Sequence, residues 1–231
     1  MTGSLDPDRR DRYLRAMGID AWRARAHQPV APAVETPKPV DVPAPTVSGM
    51  DLATLENTVA ACTRCSLHAA RHRTVFGAGD PSAQWLFVGE APGADEDRQG
   101  LPFVGRAGQL LNTMLGALGL QRESVYIANV LKCRPPGNRD PGGEEVLSCE
   151  PYLLRQVALI EPKVIVAMGR FAAQSLLKTA RPVSRLRGTV HIYADTGIPL
   201  IVTYHPAYLL RTPGDKRKAW EDLLLARETL G

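Results

Sequence analysis

Short apolar runs alternate with segments of helical periodicity through most of this chain, and the alternation begins near residue 50. Four almost continuously apolar runs predict strands at 84–88, 125–130, 163–167 and 200–204. Apolar positions at helical spacing predict helices near 107–118, 143–160, 170–178 and 217–229. The segment 188–193 is expected to add an edge strand. Such alternation is typical of an α/β fold in which helices cover both faces of a parallel sheet.

The first 49 residues lack this pattern. Residues 29–49 are rich in Pro, Ala and Val without periodicity, which is typical of an extended linker. Before the linker, Leu14, Met17 and Trp22 lie near helical spacing, but this stretch is too short to bury a core of its own. The sequence therefore predicts a short N-terminal segment (1–28), a linker (29–49) and one domain (50–231).

Charge is unevenly distributed along the 231 residues, whose net charge is +4. Residues 51–162 carry 10 Lys and Arg against 13 Asp and Glu, whereas residues 163–231 carry 11 against 5. A basic C-terminal third suits a polyanion such as DNA, although solvated helix faces would give the same composition. No apolar run approaches the ~18–20 residues of a membrane span, and the N-terminus lacks the apolar core of a signal peptide. We therefore expect a cytoplasmic protein without a membrane partner.

Chemistry-bearing side chains stand where the predicted strands end. Glu90 follows the first strand, within the Gly-rich stretch GEAPGADEDRQGLPFVGRAG (89–108). Asn129 closes the second strand, and His205 follows the last. Because ligand sites in parallel sheets gather at the carboxyl ends of the strands, these three residues are expected to line one site.

The four cysteines form a second group. Cys62 and Cys65 have two residues between them and precede the first strand, and Cys133 and Cys149 follow the second. In a cytoplasmic chain such cysteines favour metal ligation over disulfides, and four thiolates suit zinc or an iron–sulfur cluster. The spacing does not separate the two, and buried free cysteines are a further alternative. The expected role is structural, since nothing in the sequence implies a redox step.

Five linked motifs resemble the family 4 uracil-DNA glycosylases, the iron–sulfur group of these enzymes. They are GEAPGADEDRQGLPFVGRAGQLL (89–111), IANVLKCRPPGNRDP (127–141), SCEPYL (148–153), VIVAMGR (164–170) and TYHPAYLLR (203–211). The resemblance implies a three-layer α/β fold with a four-stranded parallel sheet flanked by helices. It also implies hydrolysis of the N-glycosidic bond of deoxyuridine in DNA. The cofactor that it implies is a [4Fe–4S] cluster on Cys62, Cys65, Cys133 and Cys149.

The resemblance also implies roles for the residues of the site. A flipped uracil needs a partner for its face, a reader for its edge and a group that stabilises the departing charge. Phe103 is expected to stack on the base and Asn129 to read its edge. His205 is expected to donate a hydrogen bond to uracil O2, where negative charge develops. Glu90 would stabilise the oxocarbenium-like sugar or orient the attacking water.

Two further residues complete the expected uracil pocket. Ala91 fills the position where the best-known branch of uracil-DNA glycosylases has Asp in Gln-Asp-Pro, so Glu90 stands one residue earlier than that aspartate. Glu96 is the candidate second carboxylate, which would exclude the thymine methyl group or hold a water. Asp95 and Asp97 are expected to cap the turn or the following helix.

The segment after His205 is expected to be a loop that enters the duplex. Leu209 or Leu210 would fill the vacated stack, and the sequence does not choose between them. Arg211 would hold a phosphate, and Arg185 and Arg187 are expected to contact the DNA backbone unless they are solvated loop residues. The stretch 178–188 lacks the histidine with which a related group traps the abasic sugar covalently, so ordinary hydrolysis is expected.

Other functions stay open at the level of sequence. One is a non-catalytic iron–sulfur protein of the same fold that associates with DNA or a clamp loader, and another is a zinc-binding regulator. Residues 13–22 resemble the start of the psi subunit of the bacterial clamp loader. A replication or repair protein is therefore a candidate partner through residues 9–25, with a disordered or self-packing tail as the alternative. We expect a nucleoid-associated monomer.

Overall fold

The computed structural model describes residues 47–230, together with the single position Ala16. The predicted N-terminal segment, apart from Ala16, and the linker up to residue 46 lie outside the described residues. The expected partner-binding stretch 9–25 is therefore a prediction without a structural counterpart.

One mixed sheet of six strands has four parallel strands at its centre. The strands are β1 (Ala78–Gly79), β2 (Trp85–Gly89), β3 (Tyr126–Asn129), β4 (Val164–Met168), β5 (Val190–Tyr193) and β6 (Ile198–Thr203). Their order is β1-β3-β2-β4-β6-β5, and β1 and β5 pair antiparallel at the two edges. The four predicted parallel strands and the predicted edge strand are confirmed. The two-residue β1 was not predicted, because its pairing with β3 creates it rather than a pattern of its own.

Eight α-helices surround the sheet in the described part of the chain. They are α1 (Leu52–Ala60), α2 (Ala94–Gln99), α3 (Arg106–Ala117), α4 (Gly143–Ile160), α5 (Arg170–Leu177), α6 (Val183–Leu186), α7 (Pro206–Arg211) and α8 (Lys216–Leu230). The four predicted helices correspond to α3, α4, α5 and α8. None of the helices in residues 47–230 combines the length and the apolarity that crossing a bilayer requires.

The central strands bury both of their faces, which explains their continuous apolar sequence. Every residue of β2 and β4 is buried. Leu86 and Val88 belong to the cluster that includes residues of α4 and α5, whereas Trp85 and Phe87 belong to the cluster that includes residues of α3 and α8. Each fully buried side chain of this kind contributes ~1.5–3 kcal/mol relative to exposure. The result is a three-layer arrangement that fixes the strand ends, and with them the site.

A third cluster of buried residues lies around the cysteines. Leu55 and Val59 of α1 pack with Leu67, Leu131 and Tyr152 there. The start of the described chain is fixed to the same region, because Arg155 of α4 donates two hydrogen bonds to the carbonyl oxygen of Met50, at 2.9 and 2.6 Å. The cysteine region is therefore built from α1, α4 and the segment that follows β3.

Candidate active site

A cleft of about 430 Å³ opens at the carboxyl edge of the sheet, where β2, β3 and β6 end. Seven of the residues predicted for the site line it together: Glu90, Ala91, Glu96, Phe103, Asn129, His205 and Arg211. The cleft wall does not include Arg185, Arg187, Leu209 or Leu210. A separate cavity of about 230 Å³ between α4, α5 and β5 is lined by none of the predicted site residues.

Asn129 reaches the cleft as the last residue of β3. It is 2% exposed, and its Oδ1 atom is buried without a hydrogen-bond partner among the described residues. A Cβ atom at Gly89 would lie 2.4 Å from this Oδ1 and 2.7 Å from the ζ carbon of Phe103. Glycine at 89 therefore lets the amide and the ring approach each other. A buried acceptor without a partner that faces a cleft is suited to an N–H group of a ligand.

Phe103 is held in an unusual backbone conformation. Its φ angle is +52°, in the left-handed region that costs energy for a residue with a side chain. Beneath it, a Cβ atom at Gly108 would lie 1.8 Å from the carbonyl oxygen of Phe103, so α3 packs directly against this turn. The Phe103 ring lies 5.5 Å from the imidazole of His205, with 31° between the planes. No local pattern in the sequence indicates the strained turn that brings these two rings together.

Glu96 joins the two Gly-rich turns of the stretch 89–108. Its carboxylate accepts hydrogen bonds from the backbone N–H groups of Gly93, Val104 and Gly105, at 2.9–3.0 Å. The first of these bonds caps α2, a helix that the sequence analysis treated as a turn. Glu96 lines the cleft, but its oxygens are already engaged in holding the cleft wall. Its role against a thymine methyl group or a water therefore stays a prediction.

His205 caps α7 through its own side chain. The backbone N–H of Ala207 donates to Nδ1 at 3.1 Å, so the neutral ring carries its proton on Nε2. Burial and the positive charge of Arg211 lower the pKa of His205 to about 4, against the opposing effect of Glu96. Gly169, at φ +90°, permits this placement, because a Cβ atom there would lie 2.9 Å from Cβ of His205. The site therefore holds a neutral imidazole that can donate a hydrogen bond at neutral pH.

Glu90 follows β2 and is half-buried in the cleft. Burial, followed by the nearby charge of Asp140, raises its pKa to about 7, and Arg170 opposes the shift. Asp140 and Arg170 form an ion pair with 2.7 Å between their charged atoms. Glu90 therefore exists in both protonated and ionised forms around neutral pH, and the charges of the neighbouring ion pair adjust that balance in opposite directions.

The segment after His205 is the helix α7 and not the expected loop. Pro206 stands at its first position, where a missing N–H group costs nothing. The helix separates the two leucines that the sequence could not distinguish, since Leu209 is 1% exposed and Leu210 is 36% exposed. Arg211 is exposed at the end of α7 and lines the cleft.

The two arginines expected to contact DNA differ in their surroundings. Arg187 forms an ion pair with the fully buried Asp222, in which Nε donates to Oδ2 at 3.1 Å and Nη2 lies 2.9 Å from Oδ1. Nη2 also donates to the carbonyl oxygen of Lys218. That guanidinium is 17% exposed, so the fold itself uses most of its hydrogen-bonding capacity. Arg185 is exposed. The pairing of Arg187 spans 35 positions of sequence and had no local signal.

All four cysteines line one cavity between α1, α4 and the segment after β3. Nη1 of Arg71 donates to Sγ of Cys133, and the backbone N–H of Lys132 donates to Sγ of Cys149, both at 3.2 Å. Burial raises the pKa of Cys149 to about 12 and also raises that of Cys133. Thiolate ligands here would therefore be stabilised by a bound metal group and by these donors.

The cleft wall also contains residues that were not predicted from the sequence to belong to the site. Asn138, Arg139 and Asp140 belong to the loop after Cys133, and Tyr208 belongs to α7. Arg139 is tied to Glu145 at the start of α4 by two hydrogen bonds, at 2.9 and 2.5 Å. The sequence of this loop, RPPGNRDP (134–141), lies within the family motif at 127–141. Nothing in that motif indicates which side chains face the cleft.

Comparison with known proteins identifies the family of the chain. A family model described as the uracil DNA glycosylase superfamily matches residues 76–224. A type-4 uracil-DNA glycosylase of Archaeoglobus fulgidus is 49% identical over 161 residues, which cover 67% of this chain and 81% of that protein. One from Thermotoga maritima is 43% identical over 169 residues, covering 72% of this chain and 88% of that protein. A type-5 enzyme of Thermus thermophilus is 34% identical over 154 residues, covering 58% and 68%. This chain belongs to the uracil-DNA glycosylase superfamily, and within it to the type-4 family.

Proposed function

We propose that this chain is a monofunctional uracil-DNA glycosylase, which hydrolyses the N-glycosidic bond of deoxyuridine in DNA and leaves an abasic site. The observation that carries the proposal is the unpaired, buried Oδ1 atom of Asn129 beside the Phe103 ring in the cleft. This arrangement suits a flat base that presents an N–H group, and the similar proteins are named as uracil-DNA glycosylases.

The base would be recognised by its face and by its edge. A uracil flipped from the duplex would stack on Phe103, a contact that can contribute ~1–3 kcal/mol. Oδ1 of Asn129 would accept from uracil N3–H, and the amide group would donate to O4. Cytosine has an amino group in place of O4 and no hydrogen on N3, so it would leave this amide unpaired.

Departure of the base leaves negative charge on uracil O2. The Nε2–H group of His205 is the proposed donor to that oxygen, because Nδ1 is occupied by the N–H of Ala207. A neutral donor fixed in place stabilises the transition state without having to ionise. Its lowered pKa supports this form at neutral pH.

The sugar becomes positively charged at C1′ as the base leaves. Ionised Glu90 is proposed to stabilise that charge or to orient the water that attacks C1′. Ala91 would stand beside the base, in the position of the aspartate of other uracil-DNA glycosylases. No histidine lies in 178–188, which supports release of the abasic site by water.

The DNA would be held by α7 and by basic side chains near the cleft. Leu210 is the proposed wedge that fills the vacated stack, because Leu209 is buried in the fold. Arg211 and Arg185 are proposed phosphate contacts. Arg187 is a weaker candidate, since Asp222 already holds its guanidinium.

A [4Fe–4S] cluster is proposed on Cys62, Cys65, Cys133 and Cys149, which line one cavity. In residues 47–230, no three His, Cys, Asp or Glu side chains converge closely enough for a single metal ion. Four cysteines around one cavity, two of which accept N–H donors on their sulfur atoms, are suited to a cluster, which would supply structural cross-linking here. The protein should be brown and absorb near 400 nm. Cys133→Ala should lose iron and melt at a lower temperature, and a full iron content with unchanged melting would contradict the assignment.

The test of the function is incubation with oligonucleotides that differ only in one base, followed by alkaline cleavage. Only the uracil strand should be cut, and matched thymine and cytosine strands should stay intact. His205→Ala should lower the single-turnover rate of base release ~10²-fold or more with little change in DNA binding. An intact uracil strand after incubation with cluster-loaded protein would favour the alternative, a non-catalytic protein of the same fold that associates with DNA or a clamp loader.

Setting and partners follow from the substrate. We propose that the chain acts at the nucleoid in the cytoplasm, within base-excision repair, because its proposed substrate is uracil-containing DNA. A monomeric state and a replication or repair partner that binds residues 9–25 also stay proposals. Size measurement in solution and binding to a peptide of residues 9–25 would test them.

A further inference from the structure

Lys132 is a buried lysine that the proposed reaction does not use. Lys132 is 1% exposed, and its Nζ atom donates to the carbonyl oxygen of Asn129 at 2.9 Å and to Oε1 of Gln156 at 2.5 Å. Both acceptors are neutral, and Lys132 forms no ion pair with a carboxylate of the described residues. A buried ammonium group is strongly unfavourable unless negative charge lies close to it. Negative charge elsewhere in the surroundings of Lys132 would therefore stabilise its ammonium form.

Sulfur ligands of the proposed cluster flank Lys132. Its backbone N–H donates to Sγ of Cys149 at 3.2 Å, and Cys133 is the next residue. Arg71 donates to Sγ of Cys133 from the other side, at 3.2 Å. Four thiolates carry more negative charge than the iron–sulfur core neutralises, so the loaded site keeps net negative charge. Arg71 contacts one sulfur ligand through its guanidinium group, and Lys132 contacts another through its backbone N–H, so both cationic residues adjoin that charge.

The ammonium group of Lys132 also contacts Asn129, the residue proposed to recognise the edge of the base. Asn129 has no partner for its own Oδ1 among the described residues, so the aim of its amide depends on how its backbone is held. Lys132 holds that backbone through the Asn129 carbonyl group. Gln156, two helical turns after Cys149 on α4, fixes Lys132 from the opposite side and itself donates to the carbonyl oxygen of Phe76 at 2.9 Å.

We infer that Lys132 is a positioning residue that couples the cluster to base recognition. The negative charge of the loaded cysteine site holds the ammonium group, and the ammonium group fixes the end of β3 from which Asn129 projects. This inference rests on the proposed function, both for the cluster and for the role of Asn129. Lys132 touches neither the base nor the sugar, and it acts through Asn129.

The test compares Lys132→Met with Lys163→Met in the full chain. Lys163 is an exposed lysine immediately before β4, so its substitution controls for loss of one positive charge. Iron release to a chelator is followed at 400 nm, and single-turnover uracil release is measured per cluster still bound, with DNA affinity measured in parallel. Loss of Lys132 should speed iron release ~10–100-fold and slow uracil release ~10-fold or more, as loss of a ligand-supporting residue does. DNA affinity should be unchanged, and Lys163→Met should match the wild type in all three measurements.

The possible results distinguish failure of this inference from failure of the proposed cluster or the proposed glycosylase activity. If the wild type holds iron and releases uracil, but Lys132→Met equals it in iron release or in uracil release per cluster, the coupling is wrong. If the wild type holds no iron or releases no uracil, the proposed function fails first, and with it this inference. Should Lys132→Met not fold, Lys132→Gln carries the same expectation, because it keeps a hydrogen-bond donor and lacks the charge. Lys132→Arg, which keeps the charge, should hold iron as the wild type does, and loss of iron from it would contradict the role of charge.

Discussion

At the scale of single residues, Asn129 offers the sharpest test of the pocket. Asn129→Asp replaces the donating NH₂ group with an oxygen, which can accept from the cytosine amino group and repels uracil O4. The variant should lose most uracil release and gain a weak release of cytosine, best seen in single strands, where flipping costs least. A polar pocket of this kind can discriminate ~10⁴–10⁵-fold, so even partial transfer of preference is measurable.

The control for that substitution is Asn57→Asp, on the exposed face of α1. It introduces the same charge away from the cleft and should leave both activities unchanged. Uracil release by Asn129→Asp at the wild-type rate would mean that this amide does not read the base.

The pKa of Glu90 makes a prediction about pH. The proposed catalytic form of Glu90 is the ionised one, and its pKa is raised to about 7, so uracil release should rise with pH through about 7. His205, whose pKa is lowered to about 4, should add no limb to the profile between pH 5 and 9. A profile of single-turnover rate against pH checks both expectations. A flat profile from pH 5 to 9 would remove Glu90 ionisation from the mechanism.

The same shift has a consequence for stability. A carboxyl group whose pKa is raised in the folded state contributes stability at low pH, and that contribution is lost as pH rises from 4.5 through about 7. Ionised Glu90 is thus unfavourable for folding at pH 8. Glu90→Gln should melt at a higher temperature than the wild type at pH 8 while releasing little uracil, and equal melting temperatures would contradict the linkage.

At the scale of elements, α7 decides which of the two leucines is exposed and so which is the proposed wedge. Leu210→Ala removes an exposed side chain and should change the free energy of unfolding by less than about 0.5 kcal/mol. Uracil release from duplex DNA should fall, whereas release from single strands should stay near the wild-type rate, because no stack has to be filled there. Leu209→Ala should instead destabilise the fold by ~2–5 kcal/mol, since it empties a buried position.

Leu147 provides a matched control on α4, because it is 63% exposed and does not line the cleft. Leu147→Ala should leave release from both kinds of DNA unchanged. An equal loss on single and double strands in Leu210→Ala would assign that residue a role other than wedging.

The elements also mark what sequence could and could not predict. The parallel strands and long helices were predictable from local sequence. Burial on both faces makes a strand such as β2 continuously apolar, and burial on one face gives a helix such as α4 apolar residues at helical spacing. The helices α2 and α7 were missed, since each has six residues and depends on a side chain that caps it, Glu96 or His205. The left-handed turn at Phe103 and the pairing of Arg187 with Asp222 were also invisible, because both depend on contacts between distant parts of the chain.

At the scale of the whole molecule, the N-terminal residues can be separated from the proposed reaction. A chain that starts at residue 42 keeps Val47 and Met50, which pack beside the cysteines, and it should excise uracil from short oligonucleotides at the full rate. A chain that starts at residue 52 loses the Met50 carbonyl group that Arg155 binds and the Asp51 cap of α1. It should hold iron less well.

Iron content, melting temperature and excision rate measured on both truncated chains distinguish these effects. Slower excision by the longer chain with its iron intact would mean that residues 1–41 contribute to the site.

The cap that His205 places on α7 bears on how this position can evolve. Asp, Asn and Ser are among the best residues for capping a helix N-terminus, and each would accept the Ala207 N–H group at least as well as an imidazole. None of them carries a rigid donor that corresponds to Nε2–H of histidine, on the side of the imidazole away from the cap. Selection for stability alone would therefore let histidine drift to one of these residues, and a lineage that no longer removes bases should show that drift here first. The identity of the residue at position 205 would then indicate whether a member of this family still performs the reaction.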